Sequence, residues 1–332
     1  MDELDSRIRA ARPGSVTRST PLSARAEVDL ARLLSAHEAL KPDTSARPTR
    51  RWMSLSSAAA VVAAVMVVLV VWGGVVPPSD AAQTPPPLEL SSSSEDVEVV
   101  VSRASNLLGA GGGRSTAERR SDSTGWYLQI DYVTDSPTRV AISPEVTKLV
   151  WHADLSGRRI ITAGVPYWAD GSVLPVDSGT APEPGTVLFD TVYRQGEFEP
   201  LVSDTPGNSS EETELLLRAH GMPLEPSASD VIQALSLALG HWTLTNSQHE
   251  HALAMIASAG DASVAGRGID RAGRTVVALT TDSTSNPNFR YLALISEETG
   301  RIVGVETLRR VPSDDLPAGA VTSYTLWDVE SI

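Results

Sequence analysis

Leu55 to Val76 reads LSSAAAVVAAVMVVLVVWGGVV and lies inside a run, Trp52 to Ser79, that holds no charged residue. At ~1.5 Å rise per residue a helix of this length reaches ~33 Å, enough for a hydrocarbon core of roughly 30 Å. The pattern predicts one membrane-spanning helix, because a helix buried in a water-soluble core seldom runs so long without a polar face. Trp52 and Trp72 stand 20 residues apart, which sets their indole rings near the two interfaces of such a helix. The span divides the chain into a segment 1–52, the helix 53–76, a Pro/Ser linker 77–94 and a domain 95–332.

Charge orients these parts. Residues 1–52 carry ten Arg or Lys against seven Asp or Glu, and Arg47, Arg50 and Arg51 press directly on the apolar run. Beyond it the first charges are Asp80, Glu89, Glu95, Asp96 and Glu98, with no basic residue before Arg103. Basic flanks stay on the cytoplasmic side, so the N-terminus is expected inside and the domain outside, in a single-pass cell-membrane protein. The chain carries −14 in all; with +3 on residues 1–52, −17 falls on the rest. Such an acidic outer part argues against binding nucleic acid or anionic lipid surfaces. A long N-terminal region and a long apolar run also favour a retained anchor over a cleaved signal peptide. Cysteine is absent, which removes thiolate metal sites and thiol nucleophiles, and a domain of this size folds without disulfides.

In the cytoplasmic segment, Thr20-Pro21 reads as a helix start, and Leu30, Leu33, Leu34 and Leu40 form an apolar stripe ending at Lys41-Pro42. That stripe is a candidate docking element for a cytoplasmic partner. After the linker, Val97, Val100, Val101, Ala104, Leu107 and Leu108 recur at helical spacing before Gly109, and Gly109 to Thr124 reads as a loop. Trp126, Leu128, Ile130 and Tyr132 then alternate as a strand, and Val146–Ala153 with Arg159–Ala163 forms a hairpin about Ser156-Gly157. A Pro/Gly-rich excursion, Gly164 to Gly185, follows before a short apolar stretch, Val187 to Tyr193. Capping boxes at Ser209/Glu212, Ser227/Asp230 and Ser247/Glu250, with Gly221, Gly240 and Gly260 behind them, predict three helices. The tail is a meander whose turns are Asp270–Gly273 and Glu297–Gly300. The expected fold is α+β: a single transmembrane helix, then an extracytoplasmic domain of curved antiparallel sheet with helices packed on one face.

Motifs that carry chemistry are missing. Gly266-x-Gly268 has no third glycine and precedes a strand, so it reads as a strand end. His249 and His251 fall on different faces of a helix and cannot share a metal. The other histidines, His37, His152, His220 and His241, are scattered, and only His152 falls on a predicted strand. The carboxylates sit at caps and turns. The reading is therefore a non-enzyme without catalytic residues, metal or cofactor. Trp126, Tyr132, Trp151, Tyr167 and Trp168 cluster in the first sheet half, either as core or as the lining of an apolar groove for a lipid or peptide.

MDELD at the N-terminus, ARAEVDLARLLSAH before the span, the aromatics Trp126-Tyr127 and Trp151, HALAMIASAGDASVAGRGIDRAGRTVVAL at 251–279 and LALISEETGRIVGVETL at 292–308 together resemble an uncharacterised actinobacterial family of single-pass membrane proteins. Members of that family are commonly encoded beside extracytoplasmic-function sigma factors. The matching turn residues are Asp270, Gly273, Arg274, Thr299 and Gly300, with Gly304 in the strand beyond; they define the fold and carry no chemistry. The resemblance implies a part in sigma-factor control. The segment 1–52 departs from the zinc-containing anti-sigma domain in lacking cysteine and room for four helices. Two readings stay open: a membrane-anchored sensor or regulator with a cytoplasmic partner such as a sigma factor, and an extracytoplasmic lipid- or peptide-binding module with no signalling role.

Overall fold

The structure, a computed structural model, describes residues 84–128, 141–175, 180–313 and 316–328, all within one compact unit of the chain, Val76–Ile332. The predicted span Leu55–Val76, the stripe Leu30, Leu33 and Leu34, and Tyr132 lie outside the described residues. Among those residues no helix is long and apolar enough to cross a membrane.

The unit is α+β, with a large antiparallel sheet and four helices among the described residues. In chain order these are β1 (Leu90–Ser91), α1 (Val97–Ala110), β2 (Arg120–Tyr127), β3 (Ala141–Ile142), β4 (Glu145–Trp151), β5 (Gly157–Ala163), β6 (Tyr167–Trp168) and β7 (Val187–Tyr193). Then follow α2 (Ser210–Ala219), α3 (Ala228–Leu239), α4 (Asn246–Ala259), β8 (Ser263–Ile269), β9 (Thr275–Asp282), β10 (Phe289–Ser296), β11 (Ile302–Arg309) and β12 (Val321–Trp327). The strands form one ten-stranded sheet ordered β1-β8-β9-β10-β11-β12-β2-β4-β5-β7, while β3 pairs with β6 apart from it. The predicted meander is therefore the middle of the sheet, and the predicted hairpin extends it beyond β2.

Alternation decides what each face buries. Leu149, Trp151, Val277, Leu279, Ala293, Ile295 and Ile302 share one cluster with Val231, Ile232, Leu235, Leu253 and Ile256 of the helices. Val276, Ala278, Leu292, Leu294, Val303 and Leu326 form a second cluster on the rear face, covered by Leu88, Leu90, Ile142 and Tyr167. The linker and the excursion thus lid the face that the helices leave open.

Three local expectations change. Helix α4 is capped by Thr245 and Gln248 in place of Ser247 and Glu250. Starting two residues earlier turns Gln248 inward, where its Nε2 donates to the carbonyls of Pro206 and Gly207 at 3.2 and 2.8 Å, and leaves Ser247 exposed. Helix α1 continues through Gly109 to Ala110, because Asn246 Nδ2 donates to Leu108 O at 2.9 Å and satisfies a carbonyl of the last turn. Strand β2 begins at Arg120 inside the predicted loop. Its polar residues hide the alternation: Ser121 is buried, and its Oγ donates to Leu239 O at 2.6 Å.

Gly266 and Gly268 have a packing reason. The backbone of residues 89–91 crosses them so closely that a Cβ on Gly268 would lie 2.4 Å from Glu89 O, and one on Gly266 2.3 Å from Ser91 O. They admit the incoming linker as β1, paired Leu90 to Gly268 and Ser91 to Arg267. Glu95 secures the joint between Arg267 and Arg103, which hold its carboxyl at about 2.

Candidate groove at the end of the sheet

The larger of two concavities among the described residues lies where β10 begins and β11 ends. Antiparallel register sets Phe289 opposite Arg309 and Tyr291 opposite Thr307, and period two points all four to the helix-bearing side. The helices reach β9 and β10 through α3, and at this end of the sheet Phe289 and Tyr291 remain partly exposed. Leu128 at the end of β2, Thr322 of β12, Asn286 from the β9–β10 turn, and Ser313 and Leu316 from the loop after β11 complete a groove of about 550 Å³. That volume falls in the range of small-molecule sites, roughly 300–1,000 Å³. The row continues: Thr307 pairs with Ser323, and Ser323 with Tyr127, whose exposed ring donates or accepts a hydroxyl hydrogen bond with Thr325 Oγ1 at 3.1 Å.

Arg309 is the charged group among the described residues of the lining. Its Nε donates to Val311 O at 2.7 Å, and the guanidinium lies 5.3 Å from the Phe289 ring centroid. Nearby, Arg290 and Arg310 converge on Asp282, which lowers that carboxyl through the hydrogen bond from Arg290.

The predicted aromatic cluster does not form one lining. Trp151 is buried on the helix side, 4.8 Å from Trp242 and 5.3 Å from Phe198 between ring centroids, with Nε1 donating to His241 O at 2.9 Å. Trp126 is buried on the rear side, stacked 6.4 Å from Tyr324. The sheet separates them. Tyr167 and Trp168 lie on β6 over the rear face, where Tyr167 Oη meets Tyr324 Oη at 3.3 Å. Sequence reasoning missed Phe289, Tyr291 and Arg309. The signal lay in the hairpin itself: once the Glu297–Gly300 turn sets the register, the strand start at Phe289 and the strand end at Arg309 face one another.

Beneath the rear face, Arg271 Nε donates to Glu306 Oε1 at 2.7 Å and its Nη2 to Pro86 O at 2.8 Å, while its guanidinium sits 4.7 Å from the Tyr324 ring centroid. Burial pushes Glu306 and the phenols of Tyr167 and Tyr324 upward. This buried group ties linker, excursion and sheet together. It offers no open face to a ligand, since Glu306 is fully enclosed.

The predicted turn residues act as staples. Asp270 accepts from the N–H groups of Ala272 and Arg274, each at 2.9 Å, and Arg274 donates to Val303 O at 3.0 Å and to Trp327 O at 2.5 Å, binding β11 and β12 to the turn. Gly273 and Gly300 take φ of +80° and +74°, a region that glycine enters without penalty, and Thr299 accepts from Arg301 N–H.

His152 sits exposed in the β4–β5 turn and not on a strand, because β4 ends at Trp151. His249 is fully buried, accepts from Ile302 N–H at 3.3 Å through Nδ1, and burial holds its pKa well below the ordinary value. Among the described residues no three of His, Cys, Asp and Glu gather as a metal-binding group. A second, smaller cavity of about 200 Å³ lies between Arg120, Ser121, Trp242, Arg301 and Trp327, with its arginines paired to acids. Comparison with protein-family models, with curated proteins and with solved structures finds no match for the chain.

Proposed function

We propose that the chain is a membrane-anchored, non-enzymatic sensor or regulator of the actinobacterial family that it resembles, linked to sigma-factor control. In this reading residues 1–52 are cytoplasmic, residues 53–76 span the membrane, residues 77–94 are the linker, and the α+β domain with its curved sheet and one helix-bearing face is extracytoplasmic. The supporting observation is the charge-free run Leu55–Val76 with Arg47, Arg50 and Arg51 against its N-terminal end. The last part of the linker is held on the sheet as β1. The stripe Leu30, Leu33 and Leu34 would hold or release the cytoplasmic partner.

Reporter fusions after Ser79 and before Arg47 test the topology; a cytoplasmic signal from the fusion after Ser79 contradicts it. Deleting residues 2–40 tests the regulatory part, which predicts a changed output of a sigma-dependent promoter. Unchanged transcription would leave the second reading, a ligand-binding module without signalling, which the groove at Phe289, Tyr291 and Arg309 favours.

A further inference from the structure

The groove narrows the ligand by its charge and by what its backbone lacks. Arg309 uses Nε on Val311 O and stacks on Phe289, but makes no ion pair among the described residues, whereas Arg290 and Arg310 share Asp282. Its Nη donors remain for an acceptor. Leu128, Phe289, Tyr291 and Leu316 supply an apolar track, and Asn286, Thr307, Ser313 and Thr322 add neutral polar groups, so Arg309 is the one charged group among the described residues of the lining.

We propose that the groove binds a single-chain anionic amphiphile, its carboxylate on the Arg309 guanidinium and its alkyl chain along Phe289, Tyr291 and Leu128. The proposal deepens the second reading given above, that of a ligand-binding module, and rests on it. A planar guanidinium fork matches carboxylate and phosphate alike, but one guanidinium balances the single charge of a carboxylate and leaves the second charge of a phosphate dianion uncompensated. An extended peptide is disfavoured for a different reason. It gains affinity by adding a strand to a free edge, and β10, β11 and β12 are interior strands, paired on both sides.

The test uses the full-length chain in lipid nanodiscs with 11-(dansylamino)undecanoate as fluorescent probe. Saturable binding above protein-free discs is expected, with displacement by laurate and at least about tenfold weaker displacement by methyl laurate, as loss of a charge-assisted hydrogen bond implies. Arg309→Gln should weaken laurate about tenfold or more and leave methyl laurate unchanged, Arg309→Lys should recover part of the loss, and both should unfold with the parent's midpoint. Equal displacement by laurate and its ester, or an Arg309→Gln variant that binds laurate like the parent, overturns the proposal. So does displacement by a neutral apolar peptide but not by laurate, which would assign the groove to a peptide. The reporter fusions and the 2–40 deletion do not depend on laurate, so failure here and failure of the topology or signalling reading are read separately.

Discussion

Trp151 carries the junction between the two halves of the sheet and the helices. It is 1% exposed, meets Trp242 and Phe198, and has its indole N–H satisfied, while Arg119 lies 5.2 Å from its ring centroid. Trp151→Ala should cost ~3–5 kcal/mol, read as a lower denaturant midpoint. The Glu306–Arg271 pair behaves differently, because its worth is mostly the harm done by breaking it. Glu306→Ala leaves Arg271 enclosed without its partner and should cost ~3–5 kcal/mol, whereas the double change Glu306→Leu with Arg271→Met should restore most of the loss in a double-mutant cycle. Two histidines give the domain a pH response. His220 and His241 lie 6.0 Å apart between ring centroids, each with Nδ1 on a carbonyl of its own helix, and Arg159 acts on His241. Burial lowers both pKa values from 6.5. The unfolded chain therefore binds more protons just below pH 6.5, so their contribution is whole above that pH and fades as pH falls below it. Thermal midpoints at pH 7.5 and 5.5 should differ less in a His220→Gln, His241→Gln variant than in the parent.

At the scale of elements, the three capped helices and the two glycine-closed hairpins of the meander were legible, because caps and turns are local chemistry and need no knowledge of partners. Strand β2 was half hidden, since Ser121 is buried as a polar residue satisfied by a distant helix, which hydrophobic alternation does not record. The start of α4 was misplaced for a related reason: both Thr245 and Ser247 can cap, and only burial of Gln248 chooses between them. Gly266-x-Gly268 showed its glycines but not their purpose, which depends on a segment some 175 residues earlier crossing them. Gly268→Ala should push that segment away. The amides of Leu90 and Ser91 should then exchange faster with solvent deuterium while β9 to β11 keep their protection; unchanged exchange at β1 contradicts the close-packing account.

For the molecule as a whole, composition and charge predict an anchor and an orientation, both of which lie outside the described residues and rest on the fusions proposed above. The sheet's overall order was only partly readable. Successive strands of the meander are neighbours, but β2 joins β12 across almost the full length of the domain, a pairing that no local signal announces. The candidate groove shares that origin, since Leu128 and Thr322 meet in it only because β2 and β12 are adjacent.

The two margins of the sheet are unequal. On one side the short strand β1, delivered by the linker, occupies β8; on the other, β7 pairs with β5 alone and shows Val187, Leu188, Phe189 and Val192 to solvent. A sheet with two free margins can add copies without limit and grow into a filament. A sheet with one can join a single twin about a two-fold axis, and the assembly is then closed. The linker therefore does more than tether the domain: as a two-residue edge strand it shortens the ladder that this margin can offer to another copy, and so directs edge-to-edge pairing to β7.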